Sequence, residues 1–301
     1  MSYRIGIDIG GMSVKLGIVD NEFRVIERMR IATGTGCSCQ ELIADMIDAC
    51  RQLGERYPVS SVGIGSAGLV DPQRGYVVRA GNLPFQNEPL AEKLSGPLGL
   101  PVYLDNDANC ALIGEHMAGA CRDYQDAIIL TIGTGIGGAI LIGGRIYRGH
   151  NGRAGEFGHF VFDRQSARRC SCGLSGCFED YASATALLAM TREKIQAAPD
   201  SLLAVEAAAG VDGMAVFGAA QKGCREAAEV LQEYARILAM GINSMVHIFQ
   251  PEVTVLSGGI ALQGDYLLGL LAPYLLPESV VRTTALEGDG GLIGAALLGA
   301  I

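Results

Sequence analysis

Apolar and β-branched residues run from Tyr3 to Ile9, break at Asp8-Ile9-Gly10-Gly11 and resume from Val14 to Val19. That alternation predicts a strand, a tight turn and a second strand, and a third near Arg24 to Ile31 completes a meander. Ser38-Cys39-Gln40-Glu41 has the form of a capping box, with Leu42, Ile43, Met46, Cys50 and Leu53 at helical spacing behind it, so the spacing predicts a helix over 39–53. Val62 to Gly65 reads as a buried strand ending in Ser66-Ala67-Gly68. Asn82-Leu83-Pro84 reads as a loop and Pro89 to Leu94 as a short helix. A strand over Pro101 to Leu104 runs into Asp105-Asn106-Asp107, and a helix from Ala108 to about Ala118 follows.

The same pattern restarts at Ala127. Strands at Ala127–Ile132 and Ala139–Ile142 flank a glycine-rich turn, which suggests an internal duplication of the N-terminal hairpin. Residues 127–144 carry no charge, which meets the length of a membrane span, but glycines at 133, 135, 137, 138, 143 and 144 suit two buried strands better than a helix. The rest is mostly helical. Arg225 to Phe249 places Ala227, Leu231, Tyr234, Leu238, Met245 and Ile248 on one face. Val253 to Leu256 is a last buried strand before Ser257-Gly258-Gly259, and Leu292 to Leu298 a closing apolar helix. No linker is rich in Ser or Pro, so two apposed halves with a cleft between them are expected.

Composition narrows this. With 301 residues, 49% of them hydrophobic, the chain has enough apolar material for about two packed domains. A net charge of −9 argues against nucleic acid and anionic membrane surfaces. No basic segment precedes the first strand, so no signal peptide and a cytoplasmic setting are expected. Nine cysteines, an odd count, disfavour a disulfide framework there.

Three glycine-rich turns follow apolar strands: Asp8-Ile9-Gly10-Gly11, Gly133 to Gly138, and Ser257-Gly258-Gly259. Such turns present backbone N–H groups to phosphate oxygens, and a carboxylate such as Asp8 beside one can hold Mg²⁺ through water. None matches a P-loop or a G-x-G-x-x-G opening. In Asp105-Asn106-Asp107, Asp105 reads as a helix cap, whereas Asn106 and Asp107 face the expected cleft, where a carboxylate accepts a hydroxyl proton in phosphoryl transfer. His159 with Cys170, Cys172 and Cys177 makes a Cys₃His set suited to tetrahedral zinc, structural because no position stays open. Glu156 and Glu179 flank that loop.

Together, Asp8-Ile9-Gly10-Gly11, Asn106-Asp107-Ala108-Asn109, Ile132 to Gly138, Gly155-Glu156-Phe157-Gly158-His159 and Cys170-x-Cys172-Gly-x-x-Gly176-Cys177-x-Glu179 resemble the ROK family of repressors, open reading frames and kinases over nearly the whole chain. The resemblance implies an actin-like ATPase (ribonuclease H-like) α/β fold with ATP and sugar in a cleft between two α/β domains. The smaller would take 1–118 with the C-terminal helix 290–301 on it, and the larger 119–289 with the zinc loop. It implies transfer of the γ-phosphate of MgATP to a hexose 6-hydroxyl. Asp107 resembles the catalytic base. Gly68, Asn82, Asn106, Glu156, His159 and Glu179 resemble the sugar contacts, and Gly10, Gly11, Thr134, Gly135, Gly258 and Gly259, with Asp8, the nucleotide site. His159, Cys170, Cys172 and Cys177 would hold structural Zn²⁺. A homodimer is implied by the resemblance alone.

The sequence departs from the family at Met12, where Thr is usual; a thioether donates no hydrogen bond to phosphate. Glucose is the first expected sugar, with N-acetylmannosamine or N-acetylglucosamine as alternatives. A non-catalytic sugar sensor is a reading of another class, opposed by Asp107. A DNA-binding repressor is opposed by the net charge and by the seven residues before Asp8.

Overall fold

The computed structural model describes residues 2–300 except 12, 34–36, 82, 209 and 211, and describes Met214 by its backbone alone. Met12 and Asn82, singled out above, lie outside the described residues.

The chain begins with strands β1 (Tyr3–Ile9), β2 (Ser13–Val19) and β3 (Val25–Ala32), then helix α1 (Cys39–Gly54) and β4 (Val59–Ser66). Short strands β5 (Leu69–Asp71), β6 (Tyr76–Arg79) and β7 (Gln86–Glu88) precede α2 (Leu90–Leu98), β8 (Val102–Asn106) and α3 (Asp107–Ala118). Next come β9 (Ala127–Ile132), β10 (Ile136–Ile142) and β11 (Arg145–Ile146), then helices α4 (Glu179–Ala182), α5 (Ala184–Ala197), α6 (Leu202–Glu206), α7 (Gly213–Gln221) and α8 (Arg225–Phe249). The chain closes with β12 (Val253–Ser257), α9 (Asp265–Leu271), β13 (Val281–Thr283) and α10 (Gly290–Leu297).

The expected duplication is present in the sheets. One has the order β3-β2-β1-β4-β8 and the other β11-β10-β9-β12-β13, the same arrangement of meander followed by crossover strands. In the first, β2 is antiparallel to β1, whereas β4 and β8 run parallel to it in turn. In the second, β9, β12 and β13 run parallel. The run at 127–144 is therefore sheet, and among the described residues no helix is long and apolar enough to cross a membrane. The third sheet, β5-β6-β7, was not expected, because strands of three or four residues are too short to show an alternation.

The chain forms two compact units. The first comprises Met1–Gln125, Ala139–Gly155 and Ala285–Ile301; the second comprises Asp126–Gly138 and Glu156–Thr284. In the first unit, Ile5, Ile7, Ile9, Leu16, Val62 and Ile64 pack with Leu42, Met46 and Leu53 of α1. The capping box of α1 forms as expected. Glu41 N–H donates to the Ser38 hydroxyl at 3.2 Å, and Ser38 N–H donates to the Glu41 carboxylate at 2.9 Å. On the other sheet face, α10 lies so close that a Cβ on Gly63 would stand 1.7 Å from the Ala295 carbonyl oxygen.

In the second unit α8 is the central helix. Ala227, Leu231, Tyr234, Leu238 and Met245 are buried on it. Ile248, expected on the same face, is instead 71% exposed. It lies in the last turn, just before the chain leaves the helix at Gln250 with φ of 46°.

Candidate active site

Parallel strands deliver their carboxyl ends to one edge of a sheet, where ligands of open α/β sheets bind. In the first unit Asp8 pairs with Gly65 and Gly65 with Asp105, so β1, β4 and β8 end side by side. Their ends carry Gly10-Gly11, Ala67-Gly68 and Asn106-Asp107.

Asn106 is the cap of α3. Its side-chain oxygen accepts from Ala108 N–H at 2.9 Å and Asn109 N–H at 3.3 Å, while its Nδ2 donates to the Gly68 carbonyl at 3.2 Å. Gly68 has φ of +95°, and a Cβ there would stand 2.4 Å from the Arg79 carbonyl, so glycine is required. Asp107 follows as the first residue of α3, and its Oδ1 accepts from Ala108 N–H at 2.9 Å.

Asp105 is not the cap that the sequence suggested. It is 1% exposed and accepts from Asn106 N–H at 2.7 Å, Asn109 Nδ2 at 2.8 Å and Arg148 Nε at 2.8 Å. The Arg148 guanidinium also reaches the same carboxylate through its NH2 group at 2.5 Å. A strand-end carboxylate facing inward needs a cation, and Arg148, some forty residues on, carried no sequence signal.

Asp8 lies 3.8 Å from Lys15 Nζ. Burial pushes its carboxyl above the ordinary range, and the lysine charge opposes this. Gly10 N–H donates to the Ser13 carbonyl at 3.1 Å, and the Gly11 carbonyl accepts from Thr33. Burial also drives the Cys110 thiol far up, reinforced by the charges of Asp105, Asp8 and Asp107. Cys110 is thus a neutral packing residue among three carboxylates.

The second unit holds the remaining candidates. Ser257 pairs with Thr131, which brings the ends of β9 and β12 together. Gly258, with φ of +91°, sits against Ile132, where a Cβ would meet its carbonyl oxygen at 2.3 Å. The turns 133–138 and 258–259 are therefore neighbours. The Thr134 and Gly135 N–H groups have no acceptor among the described residues.

His159 ends a 3₁₀ turn over Phe157–His159, with its N–H donating to the Glu156 carbonyl at 3.0 Å. Its Nε2 is 3.8 Å from the Glu156 carboxylate, and its Nδ1 is 3.4 Å from Glu179 Oε1 and 3.5 Å from Cys170 Sγ. Cys172 and Cys177 Sγ are 3.5 Å apart, too far for the roughly 2.05 Å of a disulfide. The four ligand atoms of His159, Cys170, Cys172 and Cys177 all lie within 4.8 Å of one another. A tetrahedral zinc with bonds of about 2.3 Å to sulfur sets ligand separations of about 3.8 Å, so the donor set fits zinc in type and spacing. Behind the loop, Phe178 is fully buried, stacks on Phe160 at 5.0 Å, and lies over Gly241 of α8, where a Cβ would stand 2.1 Å from the ring.

A ROK family model matches residues 4–300. A glucokinase of Streptomyces coelicolor is 35% identical over 312 residues, covering 98% of this chain and 97% of that protein. The crystal structure of a ROK family glucokinase from Streptomyces griseus in complex with glucose and AMPPNP is 34% identical, with a TM-score of 0.87 and 98% of each chain covered. That of a ROK hexokinase from Thermus thermophilus is 31% identical, with a TM-score of 0.80 over 98% of this chain and 97% of that one. The likeness extends over both sheets, and the chain has the actin-like ATPase fold of these structures.

Proposed function

The chain belongs to the ROK family, and on that premise we propose that it is an ATP-dependent hexose kinase acting on the 6-hydroxyl, with glucose as its preferred sugar. The observation that carries the reading is the Asn106-Asp107 corner. Asn106 is held on both sides, by its own helix and by Gly68, so the next carboxylate has a fixed backbone at a strand end. The full-length likeness to glucokinases supports the choice of sugar.

In the proposed reaction the sugar O6 attacks the γ-phosphorus, the bond between that phosphorus and the β–γ bridging oxygen breaks, and ADP leaves. Asp107 orients the hydroxyl and accepts its proton, which passes to solvent after transfer. The base needs only to orient the hydroxyl and take its proton late, because phosphoryl transfer rests on positioning and charge stabilisation. Gly68, Asn82, Asn106, Glu156, His159 and Glu179 would hold the sugar. Gly10, Gly11, Thr134, Gly135, Gly258 and Gly259 would face the nucleotide. Mg²⁺, held through water by Asp8, would supply charge neutralisation at the β- and γ-phosphates. Zn²⁺ held by His159, Cys170, Cys172 and Cys177 would be structural, since four protein ligands fill a tetrahedron. The family resemblance also supports a cytoplasmic homodimer.

A coupled ADP-release assay over glucose, mannose, fructose, N-acetylmannosamine and N-acetylglucosamine tests the reading. Glucose should give the highest kcat/KM. A higher value for an acetamido-sugar would replace the assigned substrate, and no stimulation by any sugar would overturn the kinase reading.

A further inference from the structure

The glycine-rich turn 133–138 is gripped by the chain segment that follows the clustered cysteines. Ala184 N–H donates to the Gly133 carbonyl at 2.9 Å, and the Thr185 hydroxyl donates to the Thr134 carbonyl at 2.7 Å. From the other side Ile136 N–H donates to Glu179 Oε2 at 3.3 Å. The fit leaves no slack. A Cβ on Gly135 would stand 2.4 Å from Glu179 Oε2, and a Cβ on Gly158 would stand 2.4 Å from the Ile136 carbonyl oxygen. The second oxygen of Glu179 lies 3.1 Å from Cys170 Sγ and 3.4 Å from His159 Nδ1. One carboxylate thus touches the cysteine–histidine cluster with one oxygen and the turn with the other.

We propose that Glu179 and Thr185 are positioning residues for the phosphate-facing turn, so that the cysteine loop sets nucleotide affinity as well as sugar contact. The inference rests on the reading of 133–138 as a nucleotide turn. Its physical basis is pre-organisation. The amides of Thr134 and Gly135 bind an anion well only if the carbonyls beside them are held turned away, which is what the Ala184 and Thr185 donors do. Glu179 fixes the far end of the turn through Ile136. A residue whose sole role is to bind sugar has no effect on nucleotide binding when sugar is absent.

The test is calorimetric titration of the full-length protein with Mg²⁺ and AMP-PNP, without sugar, with zinc per chain measured on every sample. Glu179→Ala should weaken AMP-PNP binding about three- to tenfold, the scale of one lost hydrogen bond. Glu179→Gln keeps an oxygen for Ile136 N–H and should stay within about twofold of wild type. Thr185→Val should weaken binding about threefold with zinc content and glucose binding unchanged, and Thr185→Ser should restore it. Wild-type affinity in both Glu179→Ala and Thr185→Val overturns the inference while leaving the kinase reading intact. If Glu179→Ala does not fold, the Thr185 pair decides alone. Failure of the wild-type protein to bind AMP-PNP overturns the kinase reading, and the inference falls with it.

Discussion

Asp107 begins α3 where β8 ends. Asp107→Asn keeps the shape but removes the acceptor charge. Its kcat should fall about 10² to 10⁴-fold, with glucose affinity by calorimetry changed far less. A variant retaining near wild-type kcat would remove Asp107 from the chemistry. Asp8 behaves differently, because its carboxyl is held above the ordinary range by burial. A raised carboxylate pKa means that the ionised form costs more in the folded than in the unfolded chain, so above the folded pKa the charge destabilises. Asp8→Asn should therefore raise Tm at neutral pH while lowering activity. The gain should shrink as pH falls through the folded pKa, where the wild-type carboxyl is itself protonated. Melting curves between pH 4 and 8 check this, and a lower Tm for Asp8→Asn at neutral pH would contradict it.

At the scale of elements, the first sheet depends on a helix seated directly on its backbone. Gly63 lies under α10, with no room for a methyl group against the Ala295 carbonyl. Gly63→Ala should cost about 3 kcal/mol, at the upper end of ordinary overpacking because the obstacle is backbone. Urea unfolding measures it, and a loss below 1 kcal/mol would mean that α10 shifts freely. In the second unit the cysteine loop buries Cys170 and Cys177 and leaves Cys172 exposed. Cys172→Ser should lose zinc by metal analysis and raise the sugar KM, because metal binding there is local folding free energy. Freshly purified wild-type protein without zinc would refute the zinc assignment.

At the scale of the whole molecule, what was legible followed periodicity and local chemistry. The helix over 39–53 announced itself through its capping box, and α8 matched its expected bounds from Arg225 to Phe249. The duplication was visible as a repeated strand–turn–strand pattern, and both sheets share one strand order. The Cys₃His set was readable because its residues lie close in sequence. Partners far apart in sequence were not readable. Arg148 answers Asp105, and Thr185 holds Thr134, through contacts that only the fold creates. Asp105 was misread as a cap because residue type alone does not reveal that Asn106, one position later, takes the capping geometry. The sequence also gave no sign that the segment after the cysteines returns to grip the 133–138 turn.

The most direct test of the central claim is product analysis by ³¹P nuclear magnetic resonance of wild-type protein with MgATP and glucose. The account predicts glucose 6-phosphate and ADP in equal amounts, with no phosphate release beyond a control lacking sugar. ADP accompanied by inorganic phosphate and unchanged glucose, or no turnover at all, would contradict it.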